Sequence, residues 1–81
     1  MFKRIKKAED DPSLSQAQQY VKGWVERVTL TSGVLLVDEE ATLKQGLKKN
    51  KAASFLANKD GYPDILGPAI FIPYEIQSQW F

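Results

Sequence analysis

Residues 24–38, WVERVTLTSGVLLVD, constrain the fold more than any other stretch of the chain. Trp24, Val28 and Leu30 share one parity, with Glu26 interrupting, while Val25, Arg27, Thr29 and Thr31 take the other. β-Branched residues dominate, and a period of two sends successive side chains to opposite faces of a strand. Val34–Val37 is then an unbroken apolar run, as suits a strand covered on both faces. Ser32-Gly33 between the runs is a two-residue turn signal, so the pair reads as a tight hairpin. A lone hairpin is at best marginally stable in water, so the rest of the chain must supply its cover.

On the N-terminal side, Asp11-Pro12 reads as a helix start, with Asp11 as N-cap and Pro12 at the first helical position. Leu14, Ala17 and Val21 share one face of that helix and Gly23 stops it, although Tyr20–Val25 would serve equally as the opening of the next strand. On the C-terminal side, Asp38 is placed to cap a second helix. Glu39 and Glu40 lie in its first turn and Lys48, Lys49 and Lys51 at its end. That order complements the helix dipole by about 0.3–1 kcal/mol per exposed charge. Leu43 and Leu47 make its core stripe, and Asn50 suits the left-handed residue after it. Ala52–Ala57 fits a third strand or a continued helix. The strand is preferred, because Asn58–Gly61 then turns the chain back into Tyr62–Leu66, which Pro63 restricts to an edge or a loop. From Ile70 onward, Ile70, Ile72, Tyr74, Ile76, Ser78 and Trp80 alternate with Phe71, Pro73, Glu75, Gln77, Gln79 and Phe81. This predicts a half-buried strand running almost to Phe81, or a short helix opened by Pro73 in which Ile76 and Trp80 are i, i+4 neighbours.

The expected fold is α+β: a small antiparallel sheet of about four strands, packed on one face by one or two helices, in the order α-β-β-α-β-β. It forms a single domain over residues 12–81. Residues 1–11 form a charged N-terminal arm in which Phe2 and Ile5 are the residues fit to dock. A tight hairpin feeding an Asp38-Glu39-Glu40-Ala41 helix and two further strands is similar to the pattern of many small proteins carried on phages and other mobile elements. The likeness is architectural and implies no particular family.

Composition removes most chemistries. The chain has no His and no Cys, which excludes thiolate or imidazole zinc sites, His-based acid–base work and Ser-His-Asp or Cys-His nucleophiles. Neither glycine-rich phosphate-binding string occurs among its five glycines. No enzyme activity, cofactor or metal is expected. Asp60 and Asp64 around Gly61-Tyr62-Pro63 lack the ligand spacing of a calcium loop and read as turn residues. No apolar run is long enough to span a membrane, and the basic start is not followed by one. A cysteine-free chain of this kind is expected in the reducing cytoplasm.

Two binding roles remain. An 81-residue chain buries only roughly 60% of the surface its unfolded form exposes, so such domains often gain from oligomerisation. Trp80 and Phe81 have opposite parity, and one thin core does not easily cover both. The expected function is therefore a non-catalytic protein-interaction module. It self-associates, as a homodimer, through its C-terminal strand or helix, with Ile72, Tyr74, Ile76, Trp80 and Phe81 as the interface and an unidentified protein as a further partner; if the segment is a strand, the contact is edge-to-edge strand pairing. The alternative is nucleic-acid binding by the two basic clusters, Lys3, Arg4, Lys6 and Lys7 with Lys44, Lys48, Lys49 and Lys51. They hold eight of the eleven basic residues. A net charge of only +1, and the absence of aromatic residues among the lysines, weigh against it.

Overall fold

The computed structural model describes all 81 residues. Four strands, β1 (Phe2–Arg4), β2 (Val25–Thr29), β3 (Gly33–Asp38) and β4 (Ala69–Pro73), form one sheet in the order β1-β4-β3-β2. Two helices, α1 (Leu14–Val21) and α2 (Lys51–Lys59), accompany it, with short 3-10 turns at Ala8–Asp10 and Ala41–Leu43. The α+β class and the hairpin stand as expected. β3 and β4 lie inside the sheet, and every residue of both is buried. That is the physical reason their sequences are continuously apolar instead of alternating.

The sheet is mixed. β3 runs antiparallel to β2 and β4, whereas β1 runs parallel to β4, pairing Phe2 with Ala69 and Arg4 with Phe71. The first residues of the charged arm therefore complete the sheet, and Ile5 is buried. Both faces are covered, one helix to each. Ala17 of α1 packs with Ile5, Val34, Leu36, Ile70 and Ile72. Ala53 and Ala57 of α2 pack with Leu30, Leu35, Val37, Ala69 and Phe71.

Several element boundaries differ from the sequence reading. α1 is capped by Ser13, whose hydroxyl accepts from the Gln16 N–H while the Gln16 side chain accepts from the Ser13 N–H, a complete capping box. Asp11 is thereby free for another task, described below. Lys22 takes the left-handed position after α1 (φ 63°). Gly23 instead gives room: a Cβ there would lie 2.8 Å from both Asp38 Oδ1 and Lys44 Nζ. The helix expected over residues 39–49 is only the single 3-10 turn, and Gly46 at φ 82° ends any continuation. α2 starts at Lys51 with Asn50 as its N-cap, so residues 52–57 are helix and not strand. Residues 62–66 form a loop, making one bridge between Leu66 and Lys49.

The hairpin turn also shifts by one residue. Leu30 pairs with Gly33, its N–H donating to the Gly33 carbonyl at 2.8 Å, and Thr31-Ser32 form the turn. Neither has a positive φ, so this is not the mirror-image turn that glycine favours. The Asp60 carboxylate holds it, accepting the Thr31 N–H at 2.8 Å and the Thr31 hydroxyl at 3.1 Å.

A candidate interaction surface at the hairpin end of the sheet

β4 ends at Pro73, which has no N–H to continue a ladder. Residues 74–81 are neither strand nor helix but an irregular strap that crosses back to the start of α1. Four hydrogen bonds fasten it. Asp11 accepts the Ser78 hydroxyl at 2.6 Å and the Gln79 N–H at 2.9 Å. The Pro12 carbonyl accepts the Gln79 amide at 2.7 Å and the Trp80 indole N–H at 2.8 Å. Arg27 of β2 adds a fifth from its guanidinium to the Trp80 carbonyl at 2.8 Å. Trp80 and Ile76 pack against the α1-side core, so the indole is sheltered within its own chain.

Phe81 is not. Its ring meets Tyr74 edge-on with centroids 5.0 Å apart, and the two residues are 46% and 44% exposed. The Tyr74 hydroxyl donates to the Leu30 carbonyl at 2.9 Å, and its N–H to the Ser32 carbonyl at 3.3 Å. Beside the same turn, the Tyr62 hydroxyl donates to the Thr29 carbonyl at 3.2 Å, with Tyr62 also exposed. The hairpin turn is thus flanked by aromatic rings whose polar ends are fixed and whose apolar faces are open to water. Such rings are pre-organised for contact, because little side-chain freedom is left to lose.

Of the five interface residues expected from the sequence, the structure brings Tyr74 and Phe81 together at the surface. Ile76 and Trp80 are half-buried supports. Ile72 is 0% exposed, in the centre of the sheet. Because β4 lies between β1 and β3, Ile72 has no free strand edge to offer, and residues 74–81 are not in a strand. Trp24, which shares the parity of Val28 and Leu30, precedes β2 and is 63% exposed, beside Gln18 and Lys22.

Two members of the second basic cluster are committed to carboxylates. Lys44 Nζ lies 2.6 Å from the buried Asp38 carboxylate and 2.8 Å from the Lys22 carbonyl at the end of α1, so it is a structural cation. Lys49 pairs with Asp64 at 3.4 Å. Lys48, Lys49 and Lys51 precede or open α2 instead of ending it. They flank Asn50, which contacts Met1 at the start of β1, whereas Lys6 and Lys7 lie beyond the opposite end of that strand. With Asp60 committed to Thr31 and Asp64 to Lys49, the loop carboxylates are engaged in structure.

A family model described as a domain of unknown function (DUF3846) matches residues 2–78. The chain belongs to the DUF3846 family. The match takes in all four strands and both helices and ends before Gln79, Trp80 and Phe81. No curated protein and no solved structure matches this DUF3846 chain. No helix is long and apolar enough to cross a membrane.

The roles of Asp11, Tyr62 and Asp60 in holding this surface were not legible in the sequence. Asp11 and its partners are 67 and 68 positions apart, and such a pairing leaves no local pattern. The strap gives a direct test. Asp11→Ala removes two hydrogen bonds to a charged acceptor, each worth about 1.5–3 kcal/mol when buried and less where water competes. We expect a loss of about 2 kcal/mol in urea denaturation. In a Trp24→Phe background we also expect a red shift of Trp80 emission in the folded state. Unchanged emission would show that the strap holds without Asp11.

Proposed function

We propose that this chain is a non-catalytic binding module of the cytoplasm that self-associates through the aromatic surface beside the hairpin turn. One observation supports this reading above the others: Phe81 is held edge-on against Tyr74 with both rings nearly half exposed. A buried aromatic pair would serve the core alone, and a mobile one would carry a larger ordering penalty. The contact is ring against ring across a two-fold axis, so that the same patch serves on both copies. Paired strand edges play no part in it.

Area sets the strength. Full burial of an aromatic side chain covers 150–250 Å², so the open parts of Tyr74 and Phe81 amount to roughly 200 Å² per copy. Even with a polar rim this falls below the 1,200–2,000 Å² typical of a tight interface. The dimer is therefore weak and concentration-dependent. Sedimentation equilibrium over a broad concentration series is expected to show a mass rising from 9.2 kDa toward twice that value. Phe81→Ala is expected to hold the mass at the monomer value with an unchanged far-UV spectrum. A wild-type protein that stays at 9.2 kDa at millimolar concentration rules out the self-association.

A further inference from the structure

A cleft of about 820 Å³ lies beside the free edge of β1, between it, the 3-10 turn that follows and α1. The geometry of that edge follows from the register of the parallel pair. The Ile5 N–H donates to the Phe71 carbonyl and the Ala69 N–H donates to the Met1 carbonyl. Odd-numbered residues therefore turn their backbone polar groups toward β4. The N–H and C=O groups of Phe2 and Arg4 consequently point away from β4, at the free edge of the sheet. No group of the chain bonds to them.

Cations stand on both sides of this open edge. Lys3 Nζ is 5.9 Å from the centre of the Tyr20 ring on the α1 side, and the Arg4 guanidinium is 5.0 Å from the centre of the Phe71 ring on the α2 side. Burial pushes the Tyr20 phenol above its ordinary value. Lys6 and Lys7 extend the row. None of these four cations forms an ion pair, since the molecule's two ion pairs belong to Lys44 and Lys49. The cleft's own carboxylates, Glu9 and Asp10, follow Lys7 in the 3-10 turn, and Asp11 is held by the strap.

We propose that the β1 edge is a docking site for an extended acidic segment of a partner protein, which adds a fifth strand to the sheet. The backbone of Phe2 and Arg4 supplies register. Successive side chains of an added strand fall on opposite faces, so adjacent carboxylates on the segment reach Lys3 on one face and Arg4 on the other. Charge selects the occupant. A second copy of this chain would bring its own Lys3 and Arg4 against these, and like charges directly opposed across strands are destabilising. β2, the other free edge, is less open, because the Tyr62 hydroxyl already occupies the outward carbonyl of Thr29.

The test is a titration of the ¹⁵N-labelled full chain with an acetylated, amidated peptide of sequence Thr-Glu-Glu-Val-Thr-Val. Controls are the same peptide with Lys for both Glu, and free glutamate at equal carboxylate concentration. We expect the amides of Phe2 and Arg4 to shift and to exchange more slowly. We also expect binding to the lysine peptide to be at least about tenfold weaker, and the double variant Lys3→Gln, Arg4→Gln to lose the acidic peptide while keeping a dispersed spectrum. If that variant unfolds, the single variant Arg4→Gln, judged by the same amides, decides. Absence of shifts at Phe2 and Arg4 overturns the proposal. So does equal binding of the lysine peptide, an equal response to free glutamate, or shifts confined to Val25–Thr29.

Discussion

Gly33→Ala is expected to lower the melting temperature by roughly 12–24 °C, since an added methyl meets its shortest contact among the chain's five glycines here. Gly33 opens β3 opposite Pro73. A Cβ at this position would fall 2.3 Å from the Ile72 carbonyl oxygen, 2.8 Å from the Pro73 Cα and 2.9 Å from the Phe71 ring. Two of those three atoms are backbone of the adjacent central strand, so no side-chain rotation relieves the overlap. β3 and β4 must separate or one of them must bend, and both are buried along their whole length. Overpacking of this kind costs about 3 kcal/mol at the upper end of its usual range, and each kcal/mol moves the midpoint of so small a domain by about 4–8 °C. Calorimetry or thermal circular dichroism checks it. A variant melting within about 2 °C of wild type would mean that the close approach of the two strands carries no weight. The reason for glycine here is the neighbouring strand, since the φ of Gly33 is not positive.

The second large effect is expected at Asn50, which is 3% exposed. Its side-chain oxygen accepts the Ala53 N–H and so caps α2, while its amide donates to the Met1 carbonyl at 3.0 Å and the Gly67 carbonyl at 2.9 Å. One side chain therefore ties the helix on one face to the strand at the sheet edge and to the loop leading into β4. Asn50→Ala loses a cap, worth about 1 kcal/mol, and leaves the Gly67 carbonyl without its donor, at about 1–3 kcal/mol where water does not reach it, while the Met1 carbonyl keeps the Ala69 N–H. We expect about 3 kcal/mol of lost stability in urea denaturation, with faster amide exchange at residues 3 and 69. Asn50→Asp keeps the cap oxygen but sets a carboxylate against two carbonyls, so it is expected to be no better than the alanine. A loss below about 0.5 kcal/mol for Asn50→Ala would show that these bonds are replaced by water at no penalty.

What was legible in the sequence followed from burial on both faces of the sheet. Val34–Val37 and Ala69–Ile72 are apolar without interruption because they sit between two helices, and the turn residues between β2 and β3 fix the pairing within one position. α1 was found because Ala17 and Val21 recur at helical spacing. α2 was displaced because its buried face is made of Ala53, Ser54 and Ala57, small residues that leave almost no periodic apolar signal. The Asp38-Glu39-Glu40 stretch carried a stronger start signal but leads only to one turn. There Asp38 accepts the Glu40 N–H and the Lys44 ammonium instead of capping a helix. β1 was hidden because two of its three residues are charged and its partner lies at the far end of the sequence. In the tail, the alternation of apolar residues was real, but Pro73 ends the ladder, and Ile76 and Trp80 reach the core from turns. Of the candidate surface, Tyr74 and Phe81 could be named from sequence. The support given by Asp11, Tyr62 and Arg27 could not, because each acts across a long separation.

The parallel alliance of β1 with β4 has a consequence for biogenesis. While the polypeptide is still emerging from the ribosome, residues 2–4 have no seat until residue 71 has cleared the exit tunnel, because that seat is β4 itself. Until then β3 lacks its second neighbour and the charged N-terminal residues have no strand to join. Closure over so long a chain separation is slow by the standards of small helical proteins. An unpaired strand edge is open to other chains, so refolding of the full chain is expected to give more aggregate at high protein concentration when Pro73 and the rest of β4 are slow to dock.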